Sequence, residues 1–323
     1  MRFVASRLLQ AMLVVLAVAT ITFVLLHLAP GNPLAVHEWN RYADSAMVAQ
    51  VKREFGLDQP IHTQYLRYLG RLLHGDLGTS ISRRQPVWDV IRDAAPNTIA
   101  LAVAALLIDL AIGMTLGVLQ ATKPGSSLDR FISGTTLALY STPVFVFGFV
   151  MILVFASGLH WLPVSGAYDP VAWPYLGPAG RVLDLLRHLA LPALTLGIVG
   201  AASTARYQRA ALLEVLRFDF VRAARARGLA PRAVLWRHGV RNALLPIITL
   251  VGLSLPILLS GAVLIESVFT RPGMGALSAG AILSRDYPLV TGTAIVAALL
   301  VIAGNLLADL AYRVADPRTR AQS

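Results

Sequence analysis

One acidic residue of this sequence stands where ionisable side chains are rarely tolerated. Asp109 lies in the middle of an apolar run that extends from Ile99 to Leu119. A carboxylate at the centre of a membrane-spanning helix costs about 2.5–3.5 kcal/mol on insertion scales, so this side chain is expected to face protein or water. Two roles fit the position: contact with a cationic amine of a solute or a proton site, or a hydrogen bond or ion pair between helices.

A second candidate site is the basic stretch Phe220–Pro246. Three small residues, Ala223, Ala224 and Ala226, are followed by Gly228, which favours a helix C-terminus, and Pro231 suits the first turn of a new helix. The pattern predicts two short helices joined by a tight turn, with small residues that let another surface approach closely. An amphipathic connector that binds anionic lipid is the alternative.

The motifs of enzyme active sites do not occur. The sequence contains no GxxxxGK[ST] loop to hold nucleotide phosphates, no HExxH zinc motif and no GxSxG nucleophile turn. It also contains no cysteine, which excludes disulfides, thiolate metal sites and cysteine nucleophiles. Catalysis by this polypeptide is therefore not expected.

The elements that must position these residues follow from composition. Of 323 residues, 56% are hydrophobic and only 14% are charged, against about 25% charged residues in soluble domains. A hydrocarbon core of about 30 Å needs about 20 helical residues to cross it. We predict an all-α, polytopic membrane protein with six transmembrane helices near Leu8–Leu28, Ile99–Leu119, Phe131–Phe155, Leu189–Ala205, Leu244–Ile265 and Val290–Leu310.

The loop charges predict the orientation. Sixteen Lys and Arg residues lie before the first span, at 122–130, at 206–241 and in the C-terminal tail, whereas four lie at 157–187 and 267–289. The positive-inside rule therefore places both termini in the cytoplasm. Residues 29–97 form a segment longer than the short loops to which that rule applies, so their charges are not counted. With both termini in the cytoplasm, this segment lies outside.

Three segments follow from this topology. Residues 1–28 form an N-terminal transmembrane helix, 29–97 an extracytoplasmic segment, and 98–323 a core of five transmembrane helices with a cytoplasmic loop at 206–243. Within the outer segment, Met47–Phe55 and His62–Leu73 have the pattern of short amphipathic helices.

Two further patterns leave alternatives open. Gly113 and Gly117 form a GxxxG pair, which favours close helix approach either within this chain or against a partner subunit. Glu266 and Arg271 flank the last outer loop and are expected to pair with each other or with an external protein.

The basic loop resembles the EAA motif of ABC importer permeases, whose short helix inserts into a cleft on the ATPase subunit. Arg222, Ala223 and Ala224 stand where the family often has Glu-Ala-Ala, and Gly228 and Leu245-Pro246 match its glycine and closing pair. The spacing is similar to that of the dipeptide, oligopeptide and nickel branch. Other fragments resemble the same branch, in the same order: Tyr65-Leu66-Arg67, Gly75 to Ser80, Ser141-Thr142-Pro143, Pro272 to Gly275, Arg285 to Pro288 and Asp316-Pro317-Arg318.

The resemblance implies the type I ABC importer permease fold in a bacterial inner membrane. The chain would form half of the translocation pathway for short peptides, with nickel chelates, glutathione or another small solute as alternatives. Its implied partners are a second homologous permease, two P-loop ATPase subunits or a fused pair, an extracytoplasmic solute-binding protein and membrane lipid, but no nucleic acid. No cofactor or metal is expected in this chain, because ATP and Mg would be bound by the ATPase subunits.

The resemblance also assigns candidate site residues. Those of the ATPase-coupling loop are Arg222, Ala223, Ala224, Gly228, Leu229 and Pro231, and those of the substrate pathway are Asp109, Thr142 and Pro143. Two rival functions predict different patterns. A secondary transporter coupled to ions through Asp109 predicts an inverted repeat, and an intramembrane enzyme predicts paired catalytic side chains at matched depth. Neither pattern is visible in the sequence.

Overall fold

In the computed structural model the protein is helical. The structure describes the backbone of residues 2–28 and 58–315 and, within them, all side chains except those of 2–6, 8, 253–261 and 311–315. Over these residues no β-strand forms, and extended pairing is limited to one bridge between Thr79 and Pro86. The predicted helix at Met47–Phe55 and the tail motif Asp316-Pro317-Arg318 lie outside the described residues.

The helices are, in chain order, α1 (Arg2–Leu28), α2 (Ile61–Leu73), α3 (Val87–Thr122), α4 (Ser127–Ser141), α5 (Val144–Met151), α6 (Pro178–Val215), α7 (Asp219–Ala226), α8 (Pro231–Ala233), α9 (Arg241–Val268), α10 (Met274–Leu283) and α11 (Tyr287–Ala315). A π-helical segment, Ile152–Gly158, continues α5, and another, Val234–Val240, joins α8 to α9. The predicted short helix at His62–Leu73 is confirmed by α2.

Membrane-length helices form where the apolar runs predict them. Within residues 2–28 and 58–315, α1, α3, α6 and α11 are long and apolar enough to cross a bilayer, and α4 with α5 and its π-helical extension adds a fifth crossing if that bent pair counts as one. Large apolar side chains such as Leu107 and Phe131 are exposed, as expected for a surface that contacts lipid. The fifth predicted span, Leu244–Ile265, falls within α9, and the count of six stays a prediction.

The predicted span Phe131–Phe155 consists of two helices with a bend between them. The chain bends by 105° between Ser127–Ser141 and Val144–Gly158. Pro143 has no N–H and disfavours helical backbone in the residue before it. Thr142 accordingly adopts an extended conformation, with φ −85° and ψ 127°. The bend separates two apolar helices that hydropathy alone reads as one.

The chain divides into two compact units. The first comprises residues up to 96 together with 273–302, and the second comprises 97–272 together with the residues from 303 onward. In the first, Val87, Ile91, Leu277 and Leu289 form a buried core. In the second, the largest buried cluster includes Leu101, Leu191, Ile265 and Phe269.

Asp286 links parts of the first unit through hydrogen bonds, in addition to the packing of the apolar core. Its carboxylate is fully buried; Oδ2 accepts hydrogen bonds from the Ser80 hydroxyl (2.5 Å), the Ser82 hydroxyl (2.7 Å) and the Ser82 N–H (2.9 Å). The other oxygen accepts from the N–H of Leu289 in the first turn of α11, at 3.2 Å. Two of the fragments that resemble the permease branch, Gly75 to Ser80 and Arg285 to Pro288, are thus brought together by one side chain.

We expect Asp286→Asn to destabilise the protein by about 2–3 kcal/mol, because the amide NH₂ would face buried N–H and O–H donors and leave at least one of them unsatisfied. The measurement is thermal unfolding of the purified protein in detergent. Asp76→Asn is the matched control, since that exposed carboxylate accepts one hydrogen bond, from the Gly78 N–H at 2.8 Å, and an amide oxygen can replace it. Equal melting temperatures for the two variants would contradict the role of Asp286.

Candidate functional site

The basic loop contains one short helix, α7, that packs through a small apolar cluster on the start of the next helix. Val221 and Ala224, on one face of α7, are fully buried and pack with Val234 and the partly buried Leu216. Asp219 lies in the first turn of α7 and Arg225 in the last, so both charges complement the helix dipole. The predicted first short helix is confirmed, whereas the predicted second one is wrong, because α8 continues through a π-helical segment into α9.

Gly228 ends α7 in the way that its position predicts. Its φ is +80°, in the left-handed region that favours glycine. The Gly228 N–H donates to the Arg225 carbonyl at 2.9 Å, and the Leu229 N–H donates to the Ala224 carbonyl at 3.4 Å. These two bonds are those of a Schellman motif, which satisfies carbonyls that the helix end would leave free. Pro231 then opens α8 at its first position.

The outward face of this loop combines small, basic and aromatic residues. Of the predicted coupling residues, Ala224 is buried, whereas Arg222, Ala223, Gly228, Leu229 and Pro231 are exposed. Arg222 Nη2 lies 3.4 Å from Asp219 Oδ1 in a pair exposed to solvent on both sides, and such a pair stabilises a helix little.

Sequence reasoning missed two aromatic residues of this face. Phe218 and Phe220 are 47% and 42% exposed, and their ring centroids are 5.9 Å apart. Exposed aromatic side chains beside small residues are typical of protein interfaces. Their position directly before the alanine run, in an otherwise basic loop, is the signal that could have identified them.

Asp109 lies between α3 and α6. It is 4% exposed, and its Oδ1 has no hydrogen-bond partner among the described residues. A Cβ placed on Gly200 would lie 2.8 Å from its Oδ2, so α6 approaches the carboxylate at a glycine. The side chain thus lies against α6 without a hydrogen bond that joins the two helices, and both predicted roles of Asp109 stay predictions.

The same two helices pack closely through glycine. A Cβ on Gly113 would lie 2.6 Å from the Thr204 Cβ, and one on Gly117 would lie 2.7 Å from the Ala205 carbonyl oxygen. On the facing helix, a Cβ on Gly197 would lie 2.6 Å from the Ile108 Cβ. The Gly113–Gly117 pair therefore serves close packing within this chain, which decides between the two alternatives.

Thr142 and Pro143 mark the bend between α4 and α5. The Thr142 hydroxyl donates to the Ala138 carbonyl at 2.9 Å, so it is used within its own helix. Pro143 is exposed and immediately precedes α5. Both residues lie at the break between two apolar helices, and they favour the bend there.

The two residues at 266 and 271 are both buried within the second unit. Glu266 is fully buried and accepts a hydrogen bond from the Thr98 hydroxyl at 2.5 Å. Arg271 is 3% exposed, and its Nη2 donates to the Asn97 side chain at 3.3 Å. Burial lowers the pKa of the Arg271 guanidinium, and the charge of Glu266 opposes that shift. Nε and Nη1 of Arg271 have no hydrogen-bond partner among the described residues, so mutual pairing of the two side chains stays a prediction.

Comparisons with known proteins agree with this arrangement. The family model described as binding-protein-dependent transport system inner membrane component matches residues 113–321, and its N-terminal companion matches residues 1–102. The chain is 41% identical to the di/tripeptide transport system permease protein DppB of Pseudomonas aeruginosa, over 99% of each chain. It is 36% identical to the oligopeptide permease AppB of Bacillus subtilis, over 98% of each, and to the dipeptide permease DppB of Escherichia coli, over 99% of each.

A solved structure shows the same fold. The inward-facing MetNI methionine ABC transporter superposes with a TM-score of 0.54 at 20% identity, covering 70% of this chain and 96% of that chain. Together with the matches over nearly the whole sequence, this likeness confirms the ABC importer permease fold and a multi-pass location in the bacterial inner membrane. The chain belongs to the family of inner membrane components of binding-protein-dependent transport systems.

Proposed function

We propose that this chain is a permease subunit of an ATP-driven importer and forms half of a translocation pathway for short peptides. The observation that carries the proposal is full-length similarity to permeases named for di- and tripeptides and for oligopeptides, at 36–41% identity. Because these relatives match the chain from end to end and are named for peptides, peptide substrates are favoured over nickel chelates, glutathione and other small solutes.

The proposed complex contains a second homologous permease, two P-loop ATPase subunits and an extracytoplasmic solute-binding protein. ATP and Mg are bound by the ATPase subunits, because this sequence has no P-loop. The docking surface for an ATPase subunit is the outward face of α7 with Phe218, Phe220 and Ala223, ended by Gly228. Small residues allow close approach there, and the two rings supply apolar area to bury.

The proposed topology keeps six spans with both termini in the cytoplasm. Residues 1–28 form the N-terminal span, 29–97 the extracytoplasmic segment, and 98–323 the remaining spans with the coupling loop at 206–243. In this arrangement the exposed face of α7 and the sixteen basic residues of the inner loops lie on the side where ATP is present.

The test is purification of the tagged chain from native membranes, with stoichiometric partners identified by mass spectrometry. We expect a second permease, P-loop ATPases and a binding protein, and the ligand bound to that protein identifies the solute class. A nickel chelate or glutathione there would contradict the peptide assignment. A chain that purifies alone and transports in vesicles without ATP would overturn the importer itself, in favour of an ion-coupled transporter.

Asp109→Asn separates the packing role of this residue from a role in the pathway. We expect uptake to stay within about twofold of wild type for peptides of different net charge, because an amide of nearly the same size fits the buried position beside Gly200 and has no charge to bury. Uptake of radiolabelled peptides into cells is the measurement. A selective loss for peptides with a cationic residue would contradict this expectation and place the carboxylate in the pathway.

A further inference from the structure

An ion pair with a buried carboxylate and a guanidinium that is 32% exposed joins three helices. Asp129, in the first turn of α4, is 4% exposed. Its two oxygens accept from Nε and Nη2 of Arg209 in α6, at 2.9 and 2.8 Å. The Gly125 N–H donates to Oδ2 at 2.9 Å, and the Gln120 amide at the end of α3 donates to Oδ1 at 3.2 Å.

The geometry of this pair restricts the two side chains more than a charge interaction alone would. A guanidinium that donates two parallel hydrogen bonds to a carboxylate fixes orientation as well as distance. The remaining acceptor sites of Asp129 are used by Gly125 and Gln120, so the carboxylate is satisfied from four directions. The end of α3, the turn at 122–126, the start of α4 and α6 are thereby held as one body.

α4 also packs along α6 outside the ion pair. Its buried residues are Asp129, Ile132 and Thr136, and the hydroxyl of Thr136 bonds to its own helix. Arg206 of α6 lies over the ring of Tyr140, with Cζ 4.1 Å from the centroid. Among the described contacts of α4 with α6, the Asp129–Arg209 pair is the one made by directed hydrogen bonds between side chains.

One end of this body leads to α7, the proposed docking helix, and the other leads to the bend at Thr142 and Pro143. Arg209 precedes the end of α6 at Val215, after which the chain turns into α7. α4 leads in the other direction to the 105° bend at Thr142 and Pro143. We propose that Asp129 and Arg209 are positioning residues that make α4 follow α6, so that displacement of α7 by the ATPase subunits reaches the bent pair. The proposal rests on the coupling role proposed for α7.

The coupling role and a purely stabilising role of this ion pair predict different results for uptake per ATP. The close packing of Gly113 and Gly117 against α6 already holds α3 and α6 together. Losing the ion pair then leaves the bundle assembled but loosens α4, and the importer hydrolyses ATP without moving solute in proportion. A stabilising role alone lowers the melting temperature and leaves the uptake per ATP unchanged.

The test uses the complete importer reconstituted in proteoliposomes with its binding protein. Peptide uptake and ATP hydrolysis are measured together for Asp129→Asn, Arg209→Met, Arg209→Lys and the double variant Asp129→Asn/Arg209→Met. We expect each of the first two to lower uptake per ATP by about fivefold or more, within the usual range of coupling between sites. Arg209→Lys, which keeps the charge and loses the fork, falls between them and wild type, and the double variant is no worse than the poorer single variant, because the residues act as a unit.

Arg130→Gln is the control, since this exposed cation adjoins Asp129 in sequence but lies outside the pair. It is expected to keep the wild-type ratio. Unchanged uptake per ATP in Asp129→Asn and Arg209→Met, or additive losses in the double variant, overturns the proposal. If those variants do not assemble, a wild-type ratio of uptake to ATP hydrolysis in Arg209→Lys overturns it.

Gly228→Asp in the same preparation separates the proposal for the ion pair from the proposal for α7. Normal transport in Gly228→Asp refutes the coupling role of α7. Loss of transport in Gly228→Asp, together with a normal ratio in Asp129→Asn, refutes only the role of the ion pair.

Discussion

ATP-driven uptake is expected to be lost in Gly228→Asp while the chain still folds and inserts. A Cβ on this glycine would meet no atom within 4 Å, so the substitution creates no clash inside the protein. Its φ of +80° is strained for most residues, but Asp and Asn tolerate the left-handed region through local hydrogen bonds. The expected defect comes instead from a charged side chain on the surface proposed to dock an ATPase subunit.

Uptake of radiolabelled peptide and the amount of chain in the membrane are the two measurements. Gly75→Asp is the matched control, because Gly75 has a similar φ of +74° and equally open surroundings but lies in the segment proposed to face the outside. Gly228→Asn tests the charge, and is expected to retain more uptake than Gly228→Asp. Normal uptake in a well-expressed Gly228→Asp variant would refute the coupling assignment.

Gly117→Leu is expected to prevent stable assembly of the bundle. Its Cβ would lie 2.7 Å from the Ala205 carbonyl oxygen and 2.7 Å from the Gln208 Cβ. Backbone cannot move aside as the end of a flexible side chain can, so α3 and α6 must separate over several turns. Overpacking of this kind costs about 1–3 kcal/mol or more, and a separation would also open the close packing of Asp109 against Gly200.

The measurement is the yield and melting temperature of the complex after extraction in detergent. Gly134→Leu is the control, since Gly134 is also a helical glycine in a predicted span but has no atom within 4 Å of its Cβ position. We expect near-normal yield for Gly134→Leu and little or no assembled complex for Gly117→Leu. Similar yields for both would mean that the helices do not depend on this close approach.

Features set by local backbone preference could be predicted from the sequence. The end of α7 at Gly228 and the restart at Pro231 follow from the two residues that suit those positions, and neighbouring residues supply their hydrogen bonds. The long apolar helices likewise follow from hydropathy, because a segment that must satisfy its backbone in lipid has few alternatives to a helix.

Proline shows where local preference stops deciding. Pro96 and Pro192 lie inside the continuous helices α3 and α6, whereas Pro143 separates two helices by 105°. The residue is the same in all three places. Whether the helix continues depends on what packs around it, and that information is spread over distant parts of the chain.

Residue pairs that are distant in sequence were decided by the tertiary structure alone. The composition determined a polytopic helical membrane protein, and motifs in order along the chain determined its family. That Asp286 binds Ser80 across 206 positions, that Gly113 and Gly117 face α6 and that Arg209 reaches Asp129 follow from which helix faces meet. A membrane-spanning helix is apolar on several faces. Its own sequence therefore predicts that it is buried in protein or lipid, but does not specify which helix packs beside it.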